Sequence, residues 1–124
     1  MIVTVDPDSL IPPFEQLKVQ ISGLIGGGTL VRGMRLPSVR QLANDLGLAP
    51  GTVARAYREL EDLGFVETRG RHGTLVLGHQ IRPPAEELHA RLRSAASTYI
   101  ATARSLGATD TQVRQQLDEG LAGA

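Results

Sequence analysis

The segment from Ser38 to Gly64 leaves this chain few ways to fold. Val39, Leu42, Ala43 and Leu46 recur at helical spacing, and Val53, Ala56, Tyr57 and Leu60 do so again soon afterwards. Only Gly47, Leu48 and Ala49 separate the first run from Pro50. Glycine suits the residue just past a helix end, and proline suits the first helical turn, where its missing N–H is not needed. Ser38 with Gln41 forms a capping-box pattern, in which hydroxyl and side-chain amide each satisfy a free backbone donor. Two short helices joined by a tight glycine-bearing turn read as a helix-turn-helix.

The flanks complete a small domain. Pro12-Pro13 opens a further helix over 13–25, with Phe14, Leu17, Ile21, Leu24 and Ile25 on one face and Gly26-Gly27-Gly28 as its stop. Met1–Val5 is β-branched and reads as a short strand, broken by Asp6-Pro7-Asp8. After Gly64, the runs 65–69 and 74–78 bracket Gly70-Arg71-His72-Gly73, which predicts a β-hairpin directly behind the second helix of the unit. A hairpin in that place is a wing.

Pro83-Pro84 marks a boundary, and a longer helix is expected from Glu86 to about Leu106, stopped by Gly107. Leu88, Leu92, Ala95, Tyr99, Thr102 and Leu106 follow a 4-3-4-3-4 spacing, a coiled-coil-like seam. Thr109 with Gln112 is a second capping-box pattern, opening a last helix through Val113, Leu117 and Leu121. Residues 85–124 are too few for an independent core, so the seam is expected to pair with a second copy.

Composition narrows the chemistry. The 124 residues are 41% apolar and contain no cysteine, which excludes disulfides, thiolate catalysis and cysteine-bound zinc. No run approaches the roughly 18 apolar residues of a membrane span, and the first residues lack a basic-then-apolar leader, so a cytoplasmic protein is expected. His72, His79 and His89 are isolated, and Glu86-Glu87 and Asp118-Glu119 are adjacent pairs that point to different sides of a helix. Neither an enzyme nor any cofactor or metal is expected. Four aromatics, most on apolar faces, are too few for a stacking platform on single strands.

The formal net charge is zero, but its distribution is uneven. Residues 32–58 carry Arg32, Arg35, Arg40, Arg55 and Arg58 against Asp45 alone, and Arg69 and Arg71 follow. Residues 1–31 hold three acids and one base, and the last 49 residues hold five of each sign. A neutral scaffold with one basic stretch suits a nucleic-acid surface.

The run Gly33-Met34-Arg35-Leu36-Pro37-Ser38-Val39-Arg40-Gln41-Leu42-Ala43 resembles the signature of the GntR superfamily of transcription regulators. Thr52-Val53-Ala54-Arg55-Ala56-Tyr57-Arg58-Glu59-Leu60-Glu61, with Leu63-Gly64, resembles its recognition helix. Pro13–Leu17 and Gly73–Val76 resemble its first helix and its wing's return strand, so the likeness spans 13–77 in order. The short tail is similar to that of the YtrA-type subfamily, which carries two helices in place of a large effector domain. That subfamily often has an asparagine-rich turn where this chain has Ala49-Pro50-Gly51.

The resemblance implies a winged helix-turn-helix domain over 1–80 and a C-terminal helical dimerisation tail over 81–124, mainly α with a small β wing. It implies a homodimeric repressor on a palindromic double-stranded operator. Arg35, Ser38 and Arg40 are then candidate contacts at the second helix, Ser38 also as its cap. Gly51, Thr52 and Arg55 lie on the outward face of the third helix, with Arg55 the expected base reader and Arg58 on phosphate. Arg71 and His72 occupy the wing tip, where an arginine can enter a minor groove. Leu88, Leu92, Ala95, Tyr99 and Leu106 are the candidate dimer interface. Two alternatives stand beside this reading: a winged helix serving as a protein-interaction module, and a regulator gated by a small effector bound near the dimer interface.

Overall fold

A computed structural model describes residues 1–78 and 83–123. In chain order its elements are α1 (Pro13–Gly26), α2 (Val39–Leu46), α3 (Pro50–Asp62), β1 (Val66–Thr68), a 3-10 turn (Gly70–His72), β2 (Thr74–Val76), α4 (Ala85–Ser105) and α5 (Asp110–Ala122). The chain separates into two units, Met1–Ile81 and Arg82–Ala124. The boundary expected after residue 80, like His79, lies outside the described residues. No described helix is long and apolar enough to cross a membrane.

The first unit is a winged helix-turn-helix. α3 packs on both α1 and α2, and Leu17, Ile21, Val53, Ala56 and Leu60 at the centre are wholly inaccessible. Tyr57 of α3, Leu36 just before α2, Leu42 and Ala43 of α2, and Val66 and Val76 of the hairpin close the same core. The turn between α2 and α3 needs Gly47: its φ is 67°, and Leu48 N–H donates back to Ala43 O at 2.9 Å, the long bond of a Schellman ending. Tyr57 reaches from α3 to the start of α2, where its hydroxyl donates to Pro37 O at 2.7 Å. Burial pushes that phenol up, well above the usual tyrosine range.

β1 and β2 pair antiparallel, with Val66 opposite Val76 and Thr68 opposite Thr74. Both strands are shorter than the runs 65–69 and 74–78 suggested: β1 stops short of the 3-10 turn at the tip, and β2 ends at Val76. The segment before α2 forms a third edge that the sequence did not announce. Leu36 N–H donates to Thr74 O at 2.9 Å, Val76 N–H donates to Met34 O at 2.8 Å, and Arg35 bridges Leu75. A glutamate ties helix to wing, since Thr68 N–H donates to Glu61 Oε2 at 2.6 Å.

Two local expectations are corrected. Met1–Val5 is not a strand. Its backbone pairs with glutamine side chains of α1: Thr4 with Gln20 (3.0 and 2.6 Å) and Asp6 with Gln16 (2.8 and 3.0 Å). Those amides give the segment both donor and acceptor, while Val3 turns into the core. The capping box at Ser38 is half made. Ser38 Oγ accepts from Gln41 N–H at 3.1 Å, but the Gln41 amide donates to Asp45 at 2.9 Å instead of reaching back. Thr109 and Gln112 complete both halves of theirs.

In the second unit, α4 and α5 bury little of their own. Among the described residues only Ala103 is buried there. Tyr99 is half-buried, and its hydroxyl donates to Val113 O on α5 at 2.8 Å.

Candidate nucleic-acid interface

Helical periodicity divides α3 into two faces. Val53, Ala56, Tyr57 and Leu60 face the core, while Gly51, Arg55 and Arg58 are exposed and Thr52 is half-exposed. The N-terminal turn of α3 is open. Its cap residue, Ala49, contributes no side-chain bond, and Pro50 at the first position lacks an N–H. Free N–H groups at a helix start favour an anion such as a phosphate.

Arg55 is the most constrained of the exposed cations. Its Nε donates to Glu59 Oε2 at 3.0 Å, and its guanidinium carbon lies 3.6 Å from the centroid of the Phe14 ring on α1. Glu59 Oε1 accepts in turn from Lys18 Nζ at 3.1 Å, and Lys18 also pairs with Glu15 at 2.8 Å. Bonds from Lys18 and then Arg55 hold the Glu59 carboxyl below the usual glutamate range. Bonds to Glu15 and then Glu59 raise the Lys18 ammonium. Ion pairing between Arg55 and Glu59 is compatible with a DNA role, since the arginine stays 54% exposed.

The α2 residues Ser38 and Arg40 are exposed on the N-terminal side of that helix. Asp45, which could have paired with Arg40, accepts from Gln41 instead. Arg35 lies further toward the wing. The aliphatic part of its side chain runs over Gly73, where an added Cβ would sit 3.7 Å from Arg35 Cδ. Gly73 has φ 79° and ψ −154°, a backbone shape that side chains rarely allow, and that conformation is what calls for glycine here.

At the wing tip Arg71 and His72 are exposed in the 3-10 turn, closed by Arg69 N–H to Gly73 O at 2.8 Å. Arg69, also a basic residue of this region, is engaged by Glu67 at 3.0 Å. The exposed Arg35, Arg40, Arg55, Arg58 and Arg71, with no carboxylate recorded against four of them among the described residues, thus come from the three elements that a winged helix presents to a duplex.

Sequence reasoning did not find Phe14, Lys18 and Glu61 as parts of this surface. Phe14 reads as one more apolar position of α1, and Lys18 as a lone base among acids. Their pairing with α3 depends on how two helices cross, which no local pattern encodes.

The tail's candidate residues sit differently. Leu88 is 45% exposed, Leu92 60% and Leu106 80%, and Ala95 is exposed as well. Tyr99 is taken up by α5.

The family model of "Bacterial regulatory proteins, gntR family" matches residues 13–76, the stretch from α1 to β2. The HTH-type transcriptional regulator Rv1152 of Mycobacterium tuberculosis is 43% identical over 106 residues, covering 86% of this chain and 83% of that protein. The HTH-type transcriptional repressor YtrA of Bacillus subtilis is 40% identical over 74 residues, 60% of this chain and 57% of the relative. Among solved structures, YtrA from Sulfolobus acidocaldarius, a GntR-family transcription factor, aligns with a TM-score of 0.57 and 29% identity over 98% of each chain. With the family match running from α1 to β2 and a relative 43% identical over 86% of the chain, this chain belongs to the gntR family of bacterial regulatory proteins and is a DNA-binding transcription regulator.

Proposed function

We propose that the protein is a cytoplasmic repressor that binds a palindromic operator as a homodimer, one α3 per half-site. The observation that carries this reading is the division of α3. Its core face is sealed, and its N-terminal outer face offers Gly51, Thr52 and Arg55 beside Ser38 and Arg40 of α2. A helix set into a major groove N-terminal end first brings those residues nearest the bases. Arg55 reads a guanine edge, Thr52 meets a phosphate or a thymine methyl, and Arg35, Arg40 and Arg58 hold the backbone. Arg71 and His72 follow the adjacent minor groove.

Dimerisation is supported by the second unit's poverty of core. Leu88 and Leu92 on α4, Leu106 just past its end, and Leu117 and Leu121 on α5 remain exposed, apolar surface that a second copy would cover. A two-fold dimer doubles the phosphate contacts, so a modest basic patch suffices. Repression is the activity named for the Bacillus subtilis relative, and it is carried over on that likeness.

Arg55→Ala is expected to cost about 1–3 kcal/mol on the specific site and to flatten preference at one base per half-site. Selection from a randomised operator, followed by titration of the recovered site, reads both effects. An unchanged base preference would remove Arg55 as the reader.

A further inference from the structure

The side chain proposed to read a base does not hang free. Phe14 lies under the Arg55 guanidinium at 3.6 Å, and Glu59 holds Nε at 3.0 Å. The Glu59 carboxylate is itself oriented by Lys18 at 3.1 Å, and Lys18 is anchored on its own helix by Glu15 at 2.8 Å. An exposed pair four residues apart on a helix is weak and leaves a long side chain mobile. Here two further constraints come from α1. The ring fixes the plane of the guanidinium, and the lysine fixes the carboxylate that sets its rotation. Because Glu59 engages Nε, both Nη amino groups are left over, and no bond from either to a described residue accompanies that pair. Two coplanar amino groups match the O6 and N7 acceptors of guanine.

We propose that Phe14, Lys18 and Glu59 are positioning residues for DNA specificity, holding Arg55 so that only its two Nη groups meet a base. The inference rests on Arg55 being the base reader. A held arginine loses little freedom when it meets the right base, and it cannot swing to a neighbouring acceptor when the base is wrong. An unheld one reaches phosphate as readily as a base edge, and phosphate contacts carry no sequence information. The clamp therefore acts on discrimination more than on affinity.

The test puts full-length Lys18→Met, Phe14→Leu, Lys18→Arg and Arg55→Ala through one randomised-duplex selection. Binding to an unrelated duplex across a salt series is the second readout. Lys18→Met and Phe14→Leu are expected to lower the preference for guanine at the Arg55 position by about five- to tenfold. Phe14→Leu keeps every charge, so its non-specific affinity and salt slope should match those of the parent protein, and Lys18→Arg should keep the preference. Lost stability alone would weaken binding to every duplex alike and leave the profile as it was. A full preference in Lys18→Met and Phe14→Leu, with a flattened one in Arg55→Ala, overturns the clamp and keeps Arg55 as reader. A sharper preference in the two α1 variants also overturns it, because the contacts would then be holding Arg55 away from DNA. An unchanged profile in Arg55→Ala defeats the base-reading role and the clamp with it.

Discussion

Leu92→Glu is expected to convert the proposed dimer to monomers and to remove most of the operator affinity. Leu92 stands 60% exposed on α4, one helical turn beyond Leu88, and the unit around it has Ala103 as its only buried residue among those described. In the proposed dimer this leucine is covered by the partner's tail. Because a two-fold interface repeats each contact, one substitution brings in two carboxylates, each desolvated at a cost of several kcal/mol and without a cation in the seam. Separated winged units would engage half-sites singly, which lowers apparent affinity by about 10²–10⁴-fold. Sedimentation of the variant, with titration of the intact operator, checks both effects. A sedimenting dimer would move the interface away from this face of α4.

Leu60→Ala is expected to destabilise the winged unit by about 2–5 kcal/mol. Its side chain has no accessible surface and lies where α3 faces α1 and the start of the hairpin. Truncation leaves a cavity at a position of α3 that has no accessible surface, within a core that α1, α2 and the hairpin close together. Set against a typical domain stability of about 5–15 kcal/mol, this is a large share. Leu63→Ala, at a position 61% exposed, should change stability by about 0.5 kcal/mol or less. Urea midpoints of the three proteins at one fixed concentration give the comparison, since the proposed dimerisation would make stability depend on concentration. Equal losses at the two leucines would contradict the burial assigned to Leu60.

The helices and their order were legible because each has its own punctuation. Pro13, Gly47, Pro50 and Thr109 mark starts and stops by backbone chemistry that does not depend on tertiary context. The core face of α3 was legible for a similar reason, since Val53, Ala56, Tyr57 and Leu60 repeat at one helical period. Features that depend on two distant segments meeting were not. Met34–Leu36 pairs with β2 through backbone groups, to which its side chains give no clue. Met1–Val5 has strand composition, but the glutamines of α1 take its backbone bonds.

The candidate contacts divide along the same line. Arg40, Arg55 and Arg71 stand out as bases within a motif, and their exposure follows from the periodicity of the elements that carry them. The hold on Arg55 does not, because Phe14 and Lys18 lie about forty residues earlier in the chain. In the tail, the 4-3-4 seam puts Tyr99 in line with Leu92 as a less apolar position, whereas α5 returns to accept the tyrosine hydroxyl through Val113 O. A seam written for one helix cannot anticipate which of its positions the next helix will claim.

Specific, two-fold DNA recognition by α3 is tested by selection of bound sequences from a random duplex pool at near-physiological salt. The expected result is an enriched inverted repeat with a fixed half-site spacing and a preferred guanine in each half that Arg55→Ala abolishes. Weak binding without sequence preference, vanishing as salt is raised, would contradict it and leave only the charge of the arginine-rich face.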